Sequence, residues 1–209
     1  MSASTASPSA SPSRPKVIWR WRVVDIVVAA VIGVAGGVLY WAWNLIYNVP
    51  AHGLEVLLPG LQSLTYGIWL IAGVLAALII RKPGAALFAE LVAAVVESLI
   101  GNQWGPLTIV YGVVEGIGAE LIFALFLYAS WRVVTAILAG ALAGVGGGIL
   151  DLIFYYPGSA AFFATVYLIC FAISGALLGG LVSWLLTRAL AATGALSRFA
   201  SGRQGAARV

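Results

Sequence analysis

Charged residues are scarce in this chain. They make up 9% of its 209 residues, whereas hydrophobic residues make up 62%. A soluble domain would carry about 25% charged residues. So little charge excludes the ordinary soluble classes of protein. The mean hydropathy of +1.05 indicates instead a protein that is surrounded by lipid.

Residues that build common catalytic centres are also few. Cys170 and His52 are the only cysteine and histidine, so the sequence offers no intrachain disulfide and no His/Cys metal cluster. The two lysines are Lys16 and Lys82, and the GxxxxGK[ST] motif that cradles ATP phosphates is absent. The hydrolase motifs HExxH and GxSxG are absent too. We therefore expect a protein that is not an enzyme and that uses no metal or other cofactor.

Long apolar runs are what the sequence does have. Six of them approach or exceed the roughly 20 residues that a helix needs to cross a bilayer. We predict an all-α membrane protein with six transmembrane helices in one membrane domain, residues 19–196. The predicted spans are 23–43, 64–80, 84–100, 107–128, 133–154 and 162–190. We also predict a disordered, Ser/Pro-rich cytoplasmic tail at 1–18 and a basic cytoplasmic tail at 197–209.

The basic residues predict the orientation. All 11 lysines and arginines fall on one side of a six-span arrangement. The three opposite loops, at 44–63, 101–106 and 155–161, contain none. Because lysine and arginine are enriched on the cytoplasmic side, we predict that both termini are cytoplasmic in a multi-pass protein of the cell membrane. Charges spread over separate short loops disfavour a nucleic-acid partner.

Acidic residues inside the apolar runs are the main functional signal. We count five, and no lysine or arginine lies in the same runs: Glu90, Glu97, Glu115, Glu120 and Asp151. Acids at membrane depth usually face a bundle interior, find a partner or mark a ligand path. From the helical rise, Glu97 and Asp151 lie roughly 6 Å below the outer loops and Glu115 roughly 13 Å below, whereas Glu90 and Glu120 lie deeper. Glu90 and Glu97 share one helix face, but Glu115 and Glu120 diverge by about 140°.

Aromatic and amide side chains gather in the outer half as well. The candidates are Tyr66, Trp69, Asn102, Trp104 and Tyr111. An aromatic belt at the membrane interface is the alternative interpretation for any one ring, although Trp69 and Tyr111 lie inside spans. Aromatic faces combined with carboxylates suit an organic cation. The alternative for the acids is a structural role, in which protonated carboxyl groups hydrogen-bond to neighbouring helices.

A stripe of small residues runs along the first span. Ala29, Gly33 and Gly37 recur at a spacing of four residues. Small residues at this spacing let two helices approach closely. The stripe either packs within the bundle or docks a partner membrane protein.

Three segments carry a resemblance to a known family: RKPGAALFAEL after the second span, VESLIGNQWG, and GIGAELIFALF in the fourth span. In order and spacing they resemble the YkoE-type substrate-binding (S) component of energy-coupling factor (ECF) vitamin transporters, over roughly residues 23–196. The resemblance implies a six-helix subunit that captures thiamin or its hydroxymethylpyrimidine precursor from outside. It also implies a transmembrane coupling protein and two ATPase subunits as partners, with the small-residue stripe as a docking surface.

We therefore predict the substrate-capture subunit of an ECF-type ABC importer, with an outward-facing pocket for thiamin or hydroxymethylpyrimidine. The predicted substrate-binding residues are Glu97, Trp69, Tyr66, Asn102, Trp104, Tyr111, Glu115 and Asp151, and the predicted docking residues are Ala29, Gly33 and Gly37. Two alternatives stay open. One is a proton- or cation-coupled small carrier or channel that uses the intramembrane carboxylates. The other is a structural membrane subunit without a ligand.

Overall fold

The computed structural model describes residues 19–202, and every regular element within them is a helix. In chain order these are α1 Val23–Asn44, α2 Asn48–Leu57, a 3-10 helix Leu61–Leu70 that continues into α3 Ile71–Ile80, α4 Ala85–Ile100, α5 Leu107–Leu125, α6 Val133–Phe154, α7 Ala161–Ser174, a π-helical segment Gly175–Val182, and α8 Ser183–Ala192. The prediction of an all-α protein is confirmed for this part of the chain. The predicted tail at 1–18 and residues 203–209 lie outside it.

Five of the helical segments in residues 19–202 are long and apolar enough to cross a membrane: Val23–Asn44, Leu61–Ile80, Leu107–Leu125, Val133–Phe154 and Ala161–Ala192. The remaining predicted span corresponds to α4, which has only 16 residues. A helix of that length rises about 24 Å, somewhat less than the hydrocarbon thickness of a bilayer. α4 packs between α1 and α5. The number of six spans therefore stays a prediction.

The small-residue stripe of α1 faces α4. A Cβ atom added at Gly33 would lie 2.7 Å from Val92 Cβ, and one added at Gly37 would lie 2.6 Å from the Ala93 carbonyl oxygen. Ala29 is fully buried in the same contact. The stripe thus serves helix packing within this chain. Its docking role stays a prediction, and its burial does not favour that role.

Hydroxyl groups fasten the 3-10 helix to α7. Ser174 Oγ accepts a hydrogen bond from the Gly67 N–H at 2.9 Å and donates one to the Leu64 carbonyl oxygen at 2.5 Å. Ser63 Oγ donates to the Tyr167 carbonyl oxygen at 2.8 Å. 3-10 helices are usually short, because their hydrogen-bond geometry is poorer than that of an α-helix. At 10 residues this one is longer than most. Bonds from outside the helix stabilise it and so position the side chains that it carries.

Asp25 lies in the first turn of α1 and is fully buried. Its carboxylate accepts a hydrogen bond from the Arg22 N–H at 2.7 Å and forms ion pairs with Arg22, at 2.8 Å, and with Lys82. Lys82 Nζ also donates to the Arg20 carbonyl oxygen at 2.6 Å. The count of five acidic residues within the predicted spans is therefore too low. A sixth acid lies within the first predicted span, and it is paired with two basic side chains.

Glu120 caps α4. Its carboxylate accepts hydrogen bonds from the backbone N–H groups of Gly84, at 2.6 Å, and Ala86, at 2.9 Å, and from the Tyr128 hydroxyl at 2.8 Å. The first N–H groups of a helix have no partner inside the helix, so a carboxylate there satisfies them and interacts favourably with the helix dipole. We use the name basic end for the end of the bundle that contains residues 20–25, 81–84 and Glu120.

The described part of the predicted C-terminal tail lies against the bundle near the basic end. Leu196 and Phe199 are buried beside Ile79 and Ile80 at the end of α3. Ser201 Oγ donates a hydrogen bond to the Ile79 carbonyl oxygen at 3.0 Å. Residues on both sides of the predicted boundary at residue 196 therefore pack against the end of α3, and the boundary itself stays a prediction.

Candidate binding cavity

A cavity of about 380 Å³ lies at the opposite end of the bundle, where α4 ends and α5 begins. Its polar and aromatic lining consists of Tyr40, Tyr47, Tyr66, Trp69, Glu90, Glu97, Gln103, Trp104, Thr108, Tyr111, Glu115, Asp151, Tyr155, Tyr156, Tyr167 and Phe171. Four of these side chains are carboxylates, and no lysine or arginine of residues 19–202 lines the cavity. The volume is that of a site for a small organic molecule.

Seven of the eight predicted substrate-binding residues line this cavity: Tyr66, Trp69, Glu97, Trp104, Tyr111, Glu115 and Asp151. Asn102 lies beside it and holds the loop that carries Trp104. The Asn102 Oδ1 atom accepts hydrogen bonds from the N–H groups of Trp104, at 3.0 Å, and Gly105, at 2.7 Å, and Nδ2 donates to Thr108 Oγ1 at 2.8 Å. The structure thus brings the predicted residues together. Their contact with a substrate stays a prediction.

Glu90 also lines the cavity. From its depth in the membrane alone, the sequence places it with Glu120. The structure separates the two, because Glu120 caps α4 at the basic end. The useful sequence signal is the seven-residue spacing between Glu90 and Glu97, which places both on one face of α4. Tyr167 and Phe171, four residues apart on α7, are a similar pair that the sequence analysis missed.

Three of the cavity acids accept hydrogen bonds from neutral donors. Glu97 Oε1 accepts one from Trp69 Nε1 at 3.1 Å, and Glu90 Oε2 accepts one from the Gly73 N–H at 2.6 Å. Asp151 accepts hydrogen bonds from the hydroxyls of Tyr111, at 2.7 Å, and Tyr167, at 2.8 Å. These bonds fix the direction of each carboxylate without neutralising a charge.

Aromatic rings form one side of the cavity beside Glu97. The ring centroids of Tyr47 and Trp69 lie 5.1 Å apart, and Trp104 lies 5.6 Å from each of them. Gln103 Nε2 donates a hydrogen bond to the Tyr47 hydroxyl at 2.5 Å. Burial raises the pKa of the Tyr47 hydroxyl above its ordinary value, so the group stays neutral. This side offers flat apolar faces with fixed polar atoms at their edges.

The cavity therefore combines carboxylate acceptors with aromatic faces and lacks a basic side chain. Such a site can bind a ring by stacking, accept hydrogen bonds from its amino groups and attract a positive charge. Within residues 19–202, no group of three or more His, Cys, Asp or Glu side chains is placed to hold a metal ion.

The known proteins that this chain resembles are transport proteins, which agrees with a cavity for a small molecule. A family model described as "ABC-type cobalt transport system, permease component" matches residues 24–146. The HMP/thiamine permease protein YkoE of Bacillus subtilis (strain 168) is 39% identical over 187 residues, which cover 88% of this chain and 92% of the relative. A crystal structure of an S-component of ECF transporter is 37% identical with a TM-score of 0.81, over 88% of this chain and 93% of that chain.

These similarities and the apolar helices define a multi-pass transport protein of the plasma membrane, a permease-type component of an ABC transport system. Within that class, the chain belongs to the YkoE-type S components of ECF transporters. The members of this family are substrate-capture subunits rather than enzymes.

Proposed function

We propose that this chain captures thiamin or its hydroxymethylpyrimidine precursor in the cavity and delivers it to an ECF-type importer. The observation that carries the proposal is the lining itself: four carboxylates and a cluster of aromatic rings, with no lysine or arginine of the described residues among them. Thiamin has an aminopyrimidine ring and a positively charged thiazolium ring, and both suit these groups. The relative described as an HMP/thiamine permease supports the same substrates.

The aminopyrimidine ring fits best beside Glu97. In this arrangement the ring stacks on Trp69 or Trp104, and its amino group donates a hydrogen bond to the Glu97 carboxylate. Trp69 Nε1 already holds Glu97 at 3.1 Å, which fixes the acceptor before the ligand arrives. A preorganised acceptor costs less entropy when the ligand binds. Tyr111 of α5 and Asp151 of α6, joined by a hydrogen bond of 2.7 Å, supply further polar contacts.

The proposed orientation places the cavity toward the outside of the cell. Arg20, Arg22, Arg81 and Lys82 gather at the basic end, and the loops at the cavity end carry no lysine or arginine. The enrichment of basic residues on the cytoplasmic side favours six spans with both termini inside. α4 then crosses the membrane despite its length, because it is enclosed by α1 and α5.

Transport itself needs further subunits in this proposal. A transmembrane coupling protein and two ATPase subunits would supply the driving force, since the sequence has no motif for ATP phosphates. The chain alone therefore binds the vitamin but does not accumulate it.

The direct test is ligand binding by the purified full chain. We expect thiamin and hydroxymethylpyrimidine to raise the unfolding temperature, whereas riboflavin, a neutral vitamin of a different shape, should not. The absence of a shift with both pyrimidine ligands would contradict the proposal. Uptake of a cation or thiamin into liposomes by this chain alone would favour a coupled carrier instead.

A further inference from the structure

Glu115 differs from the other acids of the cavity. Its side chain lines the cavity and the residue is 5% exposed, yet it accepts no hydrogen bond from any residue between 19 and 202. Glu90, Glu97 and Asp151 each accept at least one. Buried polar groups almost always have a partner, because leaving one unpaired is costly. Among the cavity acids, Glu115 is therefore the one whose carboxylate has no donor in the described part of the chain and can be partnered by a ligand.

Gly147 of α6 makes the room that this carboxylate occupies. A Cβ atom added at Gly147 would lie 2.5 Å from Glu115 Oε1 and 2.9 Å from Phe171 Cζ. The Glu115 carboxylate and the edge of the Phe171 ring therefore both pack against the backbone of Gly147, which has no side chain. The Phe171 ring in turn contacts Tyr66, with 5.5 Å between the centroids. An unpaired carboxylate thus lies next to a wall of aromatic rings.

We infer that Glu115, Phe171 and Tyr66 form a subsite for the positively charged part of the ligand, and that Glu115 determines the preference for a cationic ligand over an uncharged one of the same shape. A carboxylate and π faces attract an organic cation, and the attraction is strong where water is excluded. This inference rests on the proposed function and adds to it. The precursor lacks the cationic ring, so it leaves Glu115 without a partner, and thiamin is the preferred ligand.

Deazathiamin provides a matched probe, because a thiophene replaces the thiazolium ring and removes its charge while keeping its shape. Isothermal titration of the wild-type chain should give at least roughly tenfold tighter binding of thiamin than of deazathiamin, the size expected for a buried charge pair. Glu115→Gln should reduce this ratio to within about threefold. Glu115→Asp keeps the charge and should retain most of the preference. A ratio that survives in Glu115→Gln, or is absent from the wild type, would overturn the inference.

Hydroxymethylpyrimidine separates this inference from the proposed function. Its affinity should change less than about threefold in Glu115→Gln, because it does not reach the subsite. Equal losses for thiamin and the precursor would show that Glu115 does not recognise the charge. A wild-type chain that binds neither ligand refutes the proposed function, whereas binding of both with an unaltered charge preference refutes only the inference.

A second variant covers the case in which Glu115→Gln does not fold. Gly147→Ala places a methyl group where the carboxylate lies, so it should weaken thiamin binding at least roughly tenfold and leave the precursor within about threefold. Equal loss of both ligands, or no loss of either, would contradict the subsite.

Discussion

The basic end and the cavity end of this bundle hold acidic side chains in opposite ways. At the basic end, Asp25 is paired with Lys82 and Arg22, and Glu120 is bonded to the first N–H groups of α4. At the cavity end, Glu97 accepts hydrogen bonds only from neutral groups, such as Trp69 Nε1, and Glu115 accepts none from the described residues. We therefore expect the partners of an acid, rather than its depth, to separate structural acids from acids that bind a ligand. Changes at the two ends should therefore have different consequences.

The largest effect is expected at the basic end. Asp25→Ala leaves Lys82, which is 7% exposed, without its acidic partner. Removing one partner of a buried pair destabilises a protein by about 3–5 kcal/mol. We expect the free energy of unfolding to fall by that amount in thermal or denaturant unfolding, with thiamin affinity unchanged in the folded fraction.

An exposed contact between a histidine and a glutamate provides the control for this change. His52 and Glu55 face each other at 3.8 Å on α2 with much of each side chain exposed. Glu55→Ala should alter the free energy of unfolding by no more than about 0.5 kcal/mol. A loss in Asp25→Ala no larger than this would contradict the structural role of the basic end.

The next effect is expected at the cavity end, and on binding instead of stability. Glu97→Gln keeps the shape of the side chain and an acceptor for Trp69 Nε1, but it removes the charge. We expect the affinities for thiamin and hydroxymethylpyrimidine both to fall by about tenfold to a hundredfold in isothermal titration. The unfolding temperature of the ligand-free protein should not decrease. Unchanged affinity for both ligands would place the aminopyrimidine ring elsewhere.

A smaller loss of stability is expected from Glu120→Ala. The change removes the acceptor of the Gly84 and Ala86 N–H groups, and loss of a helix cap typically costs about 0.5–2 kcal/mol. Hydrogen exchange at these two amides should speed up, while thiamin affinity stays the same. Protection of both amides in the variant would show that Glu120 does not cap α4 in the membrane protein.

The smallest effect is expected from Trp69→Phe. This variant keeps an aromatic ring beside Tyr47 but removes the donor to Glu97. A hydrogen bond contributes about 0.5–1.5 kcal/mol, so thiamin affinity should fall about two- to tenfold. Trp104→Phe is the matched control, because the side chain of Trp104 has no such bond to an acid among the described residues. An equal loss in both would assign the effect to the size of the ring.

The sequence could predict the helices because apolar runs of about 20 residues are a strong signal. Seven of eight predicted site residues meet in one cavity because depth along a helix follows from its rise per residue. Helical periodicity also separated Glu115 from Glu120. These inferences depend only on local geometry.

The missed features depend on contacts between distant parts of the chain. Asp25 lies near the start of α1, and its partner Lys82 follows α3, so nothing local shows that they pair. The 3-10 form of Leu61–Leu70 depends on hydroxyl groups of the chain more than 100 residues away, such as Ser174. The direction in which the small-residue stripe faces was likewise ambiguous, because spacing identifies a close contact without identifying the partner.

The thiamin-induced shift in unfolding temperature, measured for Glu97→Gln and Glu120→Gln side by side, tests the division between the two ends most directly. Both variants replace one acid by its amide inside the same bundle. We predict that the shift is lost or strongly reduced in Glu97→Gln. We predict that it is retained in Glu120→Gln, even though the ligand-free protein then unfolds at a lower temperature. A shift that persists in Glu97→Gln, or disappears in Glu120→Gln, would contradict the account.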